Sequence, residues 1–157
     1  MTRFPFSAIY GLDDVKQALA AAAADPKIKT VLIRGSAGSA KTTAARSSGI
    51  LFGRKIVNVP AGISEDDLFG CLDTETAIKE GRRTLKKGLM ASGHGNILFV
   101  DDADLMDRST MCQMLDFVKN GTVLAERDGI SGSYPCDTVL IATAGTDGSE
   151  MSPHILD

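Results

Sequence analysis

The sequence predicts an α/β fold in which a parallel sheet is flanked by helices, and three features support this prediction. Short apolar runs of strand character alternate with segments rich in helix formers. One apolar run leads directly into a glycine-rich loop at 35–43, and another, at 96–104, ends in two aspartates. The 157 residues, of which 43% are hydrophobic, are enough for one hydrophobic core. We therefore expect one domain that spans residues 1–157.

The first predicted element is a helix at 13–24. Strong helix formers fill this segment, and the acidic residues Asp13 and Asp14 at its start can cap the helix and complement its dipole. Asp25 and Pro26 then end it, because a proline disfavours the helical conformation of the residue before it. The elements that follow are predicted as strands at 30–34, 55–59, 97–101 and 138–143 and as helices at 42–51 and 108–119.

Two segments interrupt this alternation. The stretch from 60 to 96 is predicted to be irregular, because a proline and two glycines break it. These breakers are Pro60, Gly62 and Gly70. Residues 122–127 and 130–134 are predicted to form an antiparallel hairpin, because Asp128 and Gly129 between them suit a tight turn.

The predicted helix at 108–119 carries four apolar side chains at helical spacing: Met111, Met114, Leu115 and Val118. A stripe of this kind could line a cofactor site or pack into the core. Core packing is much the commoner role of methionine and leucine at this spacing, and it is our prediction.

The glycine-rich loop GSAGSAKTT at 35–43 has the pattern of a nucleotide-phosphate loop. In such a loop backbone N–H groups wrap the phosphates, the lysine reaches the outer phosphate oxygens, and the following hydroxyl meets Mg²⁺. Gly35, Lys41 and Thr42 match the pattern, whereas Ala40 stands in place of its second glycine. A chance lysine in a small-residue turn is the alternative, which the strand before the loop and the helix after it disfavour. The predicted phosphate contacts are Gly35, Ser36, Ala37, Gly38, Ser39, Ala40, Lys41, Thr42 and Thr43.

The strand at 97–101 is predicted to bring two acids to the same site. It is wholly apolar before Asp101 and Asp102, as expected of a central parallel strand whose carboxyl end faces a ligand crevice. Such acids could equally be a turn signal or a helix cap. Together with the phosphate loop they predict that Asp101 holds Mg²⁺ with Thr42, and that Asp102 acts with Lys41 in catalysis by orienting the attacking water.

Composition limits the function classes. The 17 basic and 20 acidic residues give a net charge of −3, there is no tryptophan, and only 5% of residues are aromatic. A nucleic-acid partner is not expected, because neither a basic excess nor a set of base-stacking rings is present. No apolar run reaches the roughly 18 residues of a membrane span, and the first residues lack a secretory signal. We expect a cytoplasmic protein.

Other kinds of catalytic site find little support in the sequence. Cys71, Cys112 and Cys136 are odd in number and widely spaced, which predicts reduced thiols and not a disulfide framework. His94 and His154 have no histidine or cysteine three or four positions away, so a zinc site is not expected. His94 is predicted to be a solvated turn residue. The nucleophile motif G-x-S-x-G is absent.

Several segments together are similar to one protein family. They are FPFSAIYGLDDVKQAL, the phosphate loop, the run from VPAGISEDDLFG to VDDADLM, LAERDGISGSYP and MSPHILD. These segments, which span almost the whole chain, resemble the AAA+ ATPase subunits of magnesium chelatase. The most specific are 60–89, similar to the inserted hairpin of that family, and 126–131, similar to its pre-sensor hairpin. MoxR-type ATPases share the general plan and match these inserts less well.

The resemblance implies an AAA+ nucleotide-binding α/β subdomain, a P-loop NTPase with inserted β-hairpins. It implies ATP or ADP with Mg²⁺ as ligands, and it places Ile9, Tyr10 and Gly11 where the backbone of the family contacts adenine. It implies a ring of AAA+ subunits, of one or several kinds, and larger chelatase subunits as partners. The implied activity is metal insertion into a tetrapyrrole, driven by ATP hydrolysis.

The sequence departs from the family at positions that matter for catalysis. Ala40 replaces the loop glycine, which costs about 1–2 kcal/mol if the backbone there has a positive φ. Asp102 replaces a glutamate and so shortens the reach to the attacking water by one methylene. Gly145 replaces the sensor asparagine, for which the nearby hydroxyls of Thr143 and Thr146 are candidate substitutes. The sequence stops before the family's next residues, Arg-Phe, so we expect it to lack the arginine finger and the helical lid.

Two functions follow from these observations. The first is a working, if weakened, ATPase subunit of a magnesium-chelatase-type complex. The second is a non-hydrolysing assembly module that docks on an active ATPase ring. Both predict nucleotide binding, because Lys41, Thr42 and Asp101 are retained. Measurement of phosphate release distinguishes them.

Overall fold

The structure, a computed structural model, describes residues 5–127 and 129–146. The strands in these ranges are β1 Thr30–Arg34, β2 Ile56–Val59, β3 Gly70–Leu72, β4 Leu85–Lys87, β5 Ile97–Val100, β6 Thr122–Arg127, β7 Ile130–Pro135 and β8 Val139–Ala144. The helices are α1 Asp13–Ala24, α2 Lys41–Phe52, α3 Glu65–Phe69, α4 Thr74–Glu80, α5 Leu89–Ser92 and α6 Arg108–Asn120, and short 3₁₀ turns lie at Phe6–Ala8 and Ala103–Leu105.

A four-stranded parallel sheet forms the centre of the fold. Its strand order is β1-β8-β5-β2, and its register sets Ile33 beside Thr143 and Val100 beside Ala142. The inner strands β5 and β8 are buried along their whole length, because protein covers both faces of the sheet. The predicted α/β fold with a parallel sheet flanked by helices is confirmed.

Alternate residues of the sheet pack into two separate cores. On one face Phe99 and Ile141 pack with residues of α1 and α2. On the other face Leu98 and Leu140 pack with α6 and with both hairpins. The predicted core role of the α6 stripe is confirmed: Met111, Met114 and Val118 are buried in this second core, and Leu115 packs against it.

The start of α1 differs from the sequence prediction. The helix spans the predicted residues, but its N-cap is Leu12, and no side chain makes a capping hydrogen bond there. The positive φ angles of Gly11 (73°) and Leu12 (56°) turn the chain into the helix one residue before the acidic pair. Asp13 and Asp14 therefore lie within the first turn. They can complement the helix dipole, but the prediction that they cap the helix is wrong.

The segment from 60 to 96 contains several regular elements, contrary to the sequence prediction. It contains α3, the antiparallel pair β3–β4 with α4 between its strands, and α5. Two glycines let the chain pass close to itself: a Cβ at Gly88 would lie 2.4 Å from the backbone oxygen of Leu68, and Gly70 has a φ of 120°. Gly70, together with Pro60 and Gly62, predicts a broken segment when the sequence is considered alone. The similarity to an inserted hairpin was the better guide here.

The remaining hairpin agrees with its prediction. Strands β6 and β7 pair antiparallel from Thr122 opposite Pro135 to Arg127 opposite Ile130. Val123 and Ala125 point into the core, whereas Leu124 lies exposed between them. The hairpin therefore has one packed face, as the alternation of its residues requires.

We expect the free energy of unfolding to fall below about pH 4 in part through Asp107, the N-cap of α6. Hydrogen bonds from the Ser109 hydroxyl and the Thr110 N–H lower the pKa of Asp107. A lowered pKa in the folded state stabilises the protein above the unfolded pKa, and this stabilisation is lost as the pH falls through the folded pKa. In urea titrations from pH 5 to 2, Asp107→Asn should show a shallower acid dependence than Asp116→Asn, which changes an exposed carboxylate of the same helix. Equal slopes would contradict this role.

Candidate functional site: a phosphate cleft at the sheet edge

A cleft of about 480 Å³ lies at the carboxyl edge of the parallel sheet. Its lining consists of loop and helix residues 37–43 together with Asp102. The loop follows β1, and Asp102 lies two residues after β5. Because β8 separates these strands in the sheet, the carboxyl ends of three adjacent strands meet at the cleft. The structure thus brings together the two motifs that the sequence placed 60 residues apart.

The loop has the tight curvature that a phosphate cradle needs. Gly38 and Ala40 both have positive φ angles, of 77° and 60°. The N–H and the hydroxyl of Ser39 both donate to the carbonyl oxygen of Ser36. No side chain caps α2, so the N–H groups of its first turn face the cleft without a capping partner. Such a helix start attracts anions through its N–H groups and its dipole.

Lys41 closes the loop from the inside. Its Nζ donates to the carbonyl oxygens of Gly35, at 2.7 Å, and Ser36, at 2.8 Å. Gly35 is a glycine for a steric reason, since a Cβ there would come within 3.0 Å of the Ser39 hydroxyl and 3.4 Å of the Lys41 side chain. The ammonium group is therefore held within the loop, beside the place where the pattern requires a phosphate.

Asp101 receives hydrogen bonds from two other elements. The hydroxyls of Thr42, on α2, and Thr143, on β8, donate to its Oδ1 at 2.9 and 2.6 Å. The guanidinium of Arg46 lies 3.8 Å from Oδ2 and 5.6 Å from the centre of the Phe99 ring. A hydroxyl beside a carboxylate is a pair of hard oxygen ligands, which fits Mg²⁺ bound together with a nucleotide. Thr42 and Asp101, the two predicted Mg²⁺ ligands, are in contact, and their role in metal binding stays a prediction.

Asp102 has an unusual backbone conformation. Its φ of 51° is left-handed, a region that aspartate tolerates better than most residues. Its N–H donates to the Thr143 hydroxyl at 3.1 Å, and its C=O accepts from the N–H of Leu105. The exposed side chain lines the cleft on the side facing the loop. A carboxylate there can contact water at the cleft.

The residues that the resemblance assigned to adenine do not line the cleft. Ile9, Tyr10 and Gly11 connect the first 3₁₀ turn to α1, and that turn packs against α2. Ile9 is buried, whereas the Tyr10 side chain is fully exposed. The structure brings residues 37–43, Asp101 and Asp102 together, and these three residues are not part of that group.

Two contributions to the site were missed from the sequence. Arg46 lies four residues after Thr42 and so on the same face of α2, a spacing that could have indicated it. Thr143 was considered only as a substitute for the sensor asparagine. Its partners are the two acids, and no sequence pattern signals that contact. Thr146 and Gly145 follow β8 at the same edge.

Other chemistry finds no support in the part of the chain that the structure describes. Residues 5–127 and 129–146 hold no group of three or more metal-ligating side chains, and no helix among them is long and apolar enough to cross a bilayer. All three cysteines are free, and burial raises the pKa of the Cys136 thiol to about 11, which keeps it protonated. His94 is exposed, and its Nδ1 accepts a hydrogen bond from the N–H of Asp137.

We expect Ala40→Gly to raise the free energy of unfolding by roughly 0.5–1 kcal/mol, since relief of left-handed strain exceeds the entropy that glycine loses on folding. It should also tighten nucleotide binding, because the methyl group leaves the lining of the cleft. Thermal unfolding and calorimetric titration with ADP measure the two effects. Ala20→Gly, at an exposed position of α1, is the control and should destabilise by about 0.5–1 kcal/mol. An unchanged affinity would mean that the loop already accommodates Ala40 beside phosphate.

The fold and the cleft define this chain as a P-loop NTPase of the AAA+ type. Residues 30–157 match the family described as AAA domain (dynein-related subfamily), and the chain belongs to this family.

Relatives within this family include subunits of magnesium chelatase. The magnesium-chelatase subunit ChlI homolog of Methanocaldococcus jannaschii is 33% identical over 191 residues, which cover 98% of this chain and 52% of that protein. The magnesium-chelatase 67 kDa subunit of Chlorobaculum parvum is 34% identical over 154 residues, or 97% of this chain and 25% of that subunit. An uncharacterized protein of Mycobacterium tuberculosis is 37% identical over 164 residues, or 100% of this chain and 26% of the relative.

Known structures give the same result. A structure of the complex between subunits BchI and BchD of magnesium chelatase, based on a single-particle cryo-EM reconstruction, contains a chain that matches with a TM-score of 0.84 and 32% identity. The match covers 98% of this chain and 58% of that chain. The resemblance to magnesium-chelatase AAA+ subunits is confirmed. The chain spans about a quarter to a half of the length of the curated relatives named above.

Proposed function

We propose that this chain is the ATP-binding AAA+ part of a magnesium-chelatase-type complex, which couples ATP hydrolysis to metal insertion into a tetrapyrrole. The observation that carries the nucleotide part of the proposal is the contact between the Thr42 hydroxyl and Asp101 Oδ1, at 2.9 Å. It joins the phosphate-loop helix to the acidic end of the central strand. The assignment to a chelatase rests on relatives that match along nearly the whole chain.

Each group of the cleft has a proposed role. Lys41 and the N–H groups of residues 35–43 bind the phosphates of ATP or ADP, as oppositely charged and hydrogen-bonding partners. Thr42 and Asp101 would hold Mg²⁺, which would supply positive charge to the phosphate oxygens of the nucleotide. Asp102, which lines the cleft together with loop residues 37–43, orients water toward the terminal phosphate.

The adenine end of the nucleotide is proposed to lie at Ile9, Tyr10 and Gly11. The packing of the first 3₁₀ turn on α2 supports this placement, because it keeps these residues next to the helix that follows the phosphate loop. The backbone, and not the exposed Tyr10 ring, is the proposed contact. Glycine at position 11, with a φ of 73°, leaves open space where a Cβ would stand.

A non-hydrolysing AAA+ assembly module is the second candidate, and three observations favour it. Ala40 holds a left-handed conformation that strains its backbone. Asp102 is one methylene shorter than the glutamate of the family, and a misplacement of about 1 Å can lower a rate by about 10²-fold. Gly145 also lacks the side chain of the sensor asparagine. A MoxR-type AAA+ chaperone is a third candidate function, and it would use the same nucleotide site.

The proposed partners are other AAA+ subunits in a ring, of the same or another kind, and the larger chelatase subunits. The proposed location is the cytoplasm. No nucleic-acid partner is proposed, in keeping with the near balance of 17 basic and 20 acidic residues.

Two measurements test the proposal. Calorimetry with ADP and ATP, with Mg²⁺ and with EDTA, should show nucleotide binding that Mg²⁺ strengthens. Phosphate release with Mg²⁺ and ATP should then be measured on the chain alone and mixed with a complete chelatase AAA+ subunit and its larger partner. Turnover of the mixture above that of the complete subunit and its larger partner without this chain supports the ATPase-subunit function. Nucleotide binding without such a rise supports the assembly module, and no binding at millimolar nucleotide contradicts both.

A further inference from the structure

Thr143 is a fully buried polar residue at the carboxyl end of β8. Its hydroxyl makes two hydrogen bonds, both with the acidic pair. It donates to Oδ1 of Asp101 at 2.6 Å and accepts from the N–H of Asp102 at 3.1 Å. Burial of a hydroxyl is unfavourable unless it is hydrogen-bonded, so these two contacts account for the presence of threonine in an otherwise apolar strand.

The geometry of the sheet explains why Thr143 and Asp101 meet. Val100 lies beside Ala142 in the parallel register of β5 and β8, so the next residues, Asp101 and Thr143, are neighbours. Side chains on a strand alternate between faces, and Phe99 and Ile141, each two residues earlier, both point into the core that α1 and α2 cover. Asp101 and Thr143 therefore face α2.

The hydroxyl of Thr143 is already committed to these contacts. A hydroxyl has one hydrogen to donate, and a phosphate oxygen can only accept. The Thr143 hydroxyl donates its hydrogen to Asp101 Oδ1. Thr143 would therefore have to break this hydrogen bond in order to donate to a phosphate. A role as the sensor of the terminal phosphate is therefore inconsistent with this arrangement.

We infer that Thr143 is a positioning residue, which fixes the Asp101 carboxylate and the backbone of Asp102 at the metal side of the cleft. This inference rests on the proposed function. Thr42 also contacts Oδ1, but it belongs to the proposed Mg²⁺ site itself. Thr143 donates its hydrogen bond to Asp101 from outside that site, whereas Arg46 lies 3.8 Å from the other oxygen of the same carboxylate.

The test compares three variants by calorimetric titration with ADP in EDTA and in excess Mg²⁺. Thr143→Val keeps the shape of the side chain and removes the hydroxyl, whereas Thr143→Ser keeps the hydroxyl. Thr138→Val is the matched control: Thr138 is also fully buried, lies just before the other end of β8, and donates to the carbonyl oxygen of Asn96 at 2.8 Å.

We expect Thr143→Val to reduce the strengthening of ADP binding by Mg²⁺ by about 10-fold or more, which is the usual effect of losing a residue that orients a metal ligand. Its affinity for ADP in EDTA should stay within about twofold of the unchanged protein, and Thr143→Ser and Thr138→Val should keep the Mg²⁺ effect. Thermal unfolding is recorded for every variant, and Thr143→Ala replaces the valine variant if that protein does not fold.

Several results would overturn the inference. A normal Mg²⁺ effect in Thr143→Val would show that Asp101 needs no help from Thr143. An equal loss of affinity in EDTA and in Mg²⁺, or unfolding of both the valine and alanine variants while Thr143→Ser folds, would show a role in structure alone. Absence of nucleotide binding by the unchanged protein would instead contradict the proposed function, and the inference with it.

Discussion

Replacement of Lys41 by alanine should weaken ATP and ADP binding by about 10²-fold or more. The variant lacks the charged ammonium group, so the phosphates lose at least two hydrogen bonds of about 1.5–3 kcal/mol each. The Lys41 ammonium already lies within the loop, against the carbonyl oxygens of Gly35 and Ser36. It needs little rearrangement to reach a phosphate in the cleft. The loss should appear both with Mg²⁺ and with EDTA, since Lys41 acts on phosphate and not through the metal.

Calorimetric titration measures this effect. Lys79→Ala is the matched control, because Lys79 is an exposed lysine of α4 that lies 3.7 Å from Glu75, in a surface ion pair of little energetic value. It should leave affinity unchanged. Thermal unfolding of Lys41→Ala should stay close to that of the unchanged protein. Nucleotide affinity that survives in Lys41→Ala would place the nucleotide elsewhere and contradict the assignment of this cleft.

Local sequence signals predicted most of the parallel sheet and its helices. Strands β1, β5 and β8 contain the apolar runs 31–33, 97–100 and 139–142, which are typical of a buried parallel sheet, and glycine or proline marks the ends of several elements. The observed bounds of α1 and α6 agree with the predicted ones within a residue. Helix formers in α1 and the methionine stripe in α6 both indicate helix. Neither signal depends on distant parts of the chain.

The segment from 60 to 96 could not be predicted in this way. Its strands β3 and β4 have three residues each, and their pairing depends on close backbone approach at Gly70 and Gly88. A glycine that permits close packing and a glycine that breaks an element look alike in the sequence. The prediction of the α1 cap was wrong for a similar reason. Leucine is not a residue type that indicates a positive φ, so the conformation of Leu12 could not be predicted from the sequence.

The residues of the candidate site were predictable from the sequence, whereas the contacts between them were not. The loop pattern and the acidic pair gave the residues that line the cleft, and the strand order explains why they meet. The partners of Asp101 were not predictable, since Thr143 and Arg46 approach it from β8 and α2 through the three-dimensional fold. The half-exposed Arg46 lies 3.8 Å from Asp101, so its contribution should be small.

Replacement of Asp102 by asparagine should lower the phosphate release contributed by the cleft of this chain in the assembled complex by about 10²–10⁴-fold, because the variant can no longer accept a proton from the attacking water. Asparagine tolerates the left-handed backbone as well as aspartate does, so the φ of 51° should be kept. Nucleotide affinity should be equal or higher, since one negative charge near the phosphates is removed.

The Asp102→Asn measurement also separates the two proposed functions. Phosphate release is followed in the mixture of this chain with a complete chelatase AAA+ subunit and its larger partner, and Asp116→Asn, an exposed position on α6, serves as the control. A fall in turnover with retained nucleotide binding supports a catalytic carboxylate at Asp102. Turnover that Asp102→Asn does not change, in a mixture where Lys41→Ala removes nucleotide from this chain, would mean that the partner subunit alone hydrolyses ATP. The cleft of this chain would then bind nucleotide as part of an assembly interface, because neither its strained loop nor its short acid would be used for chemistry.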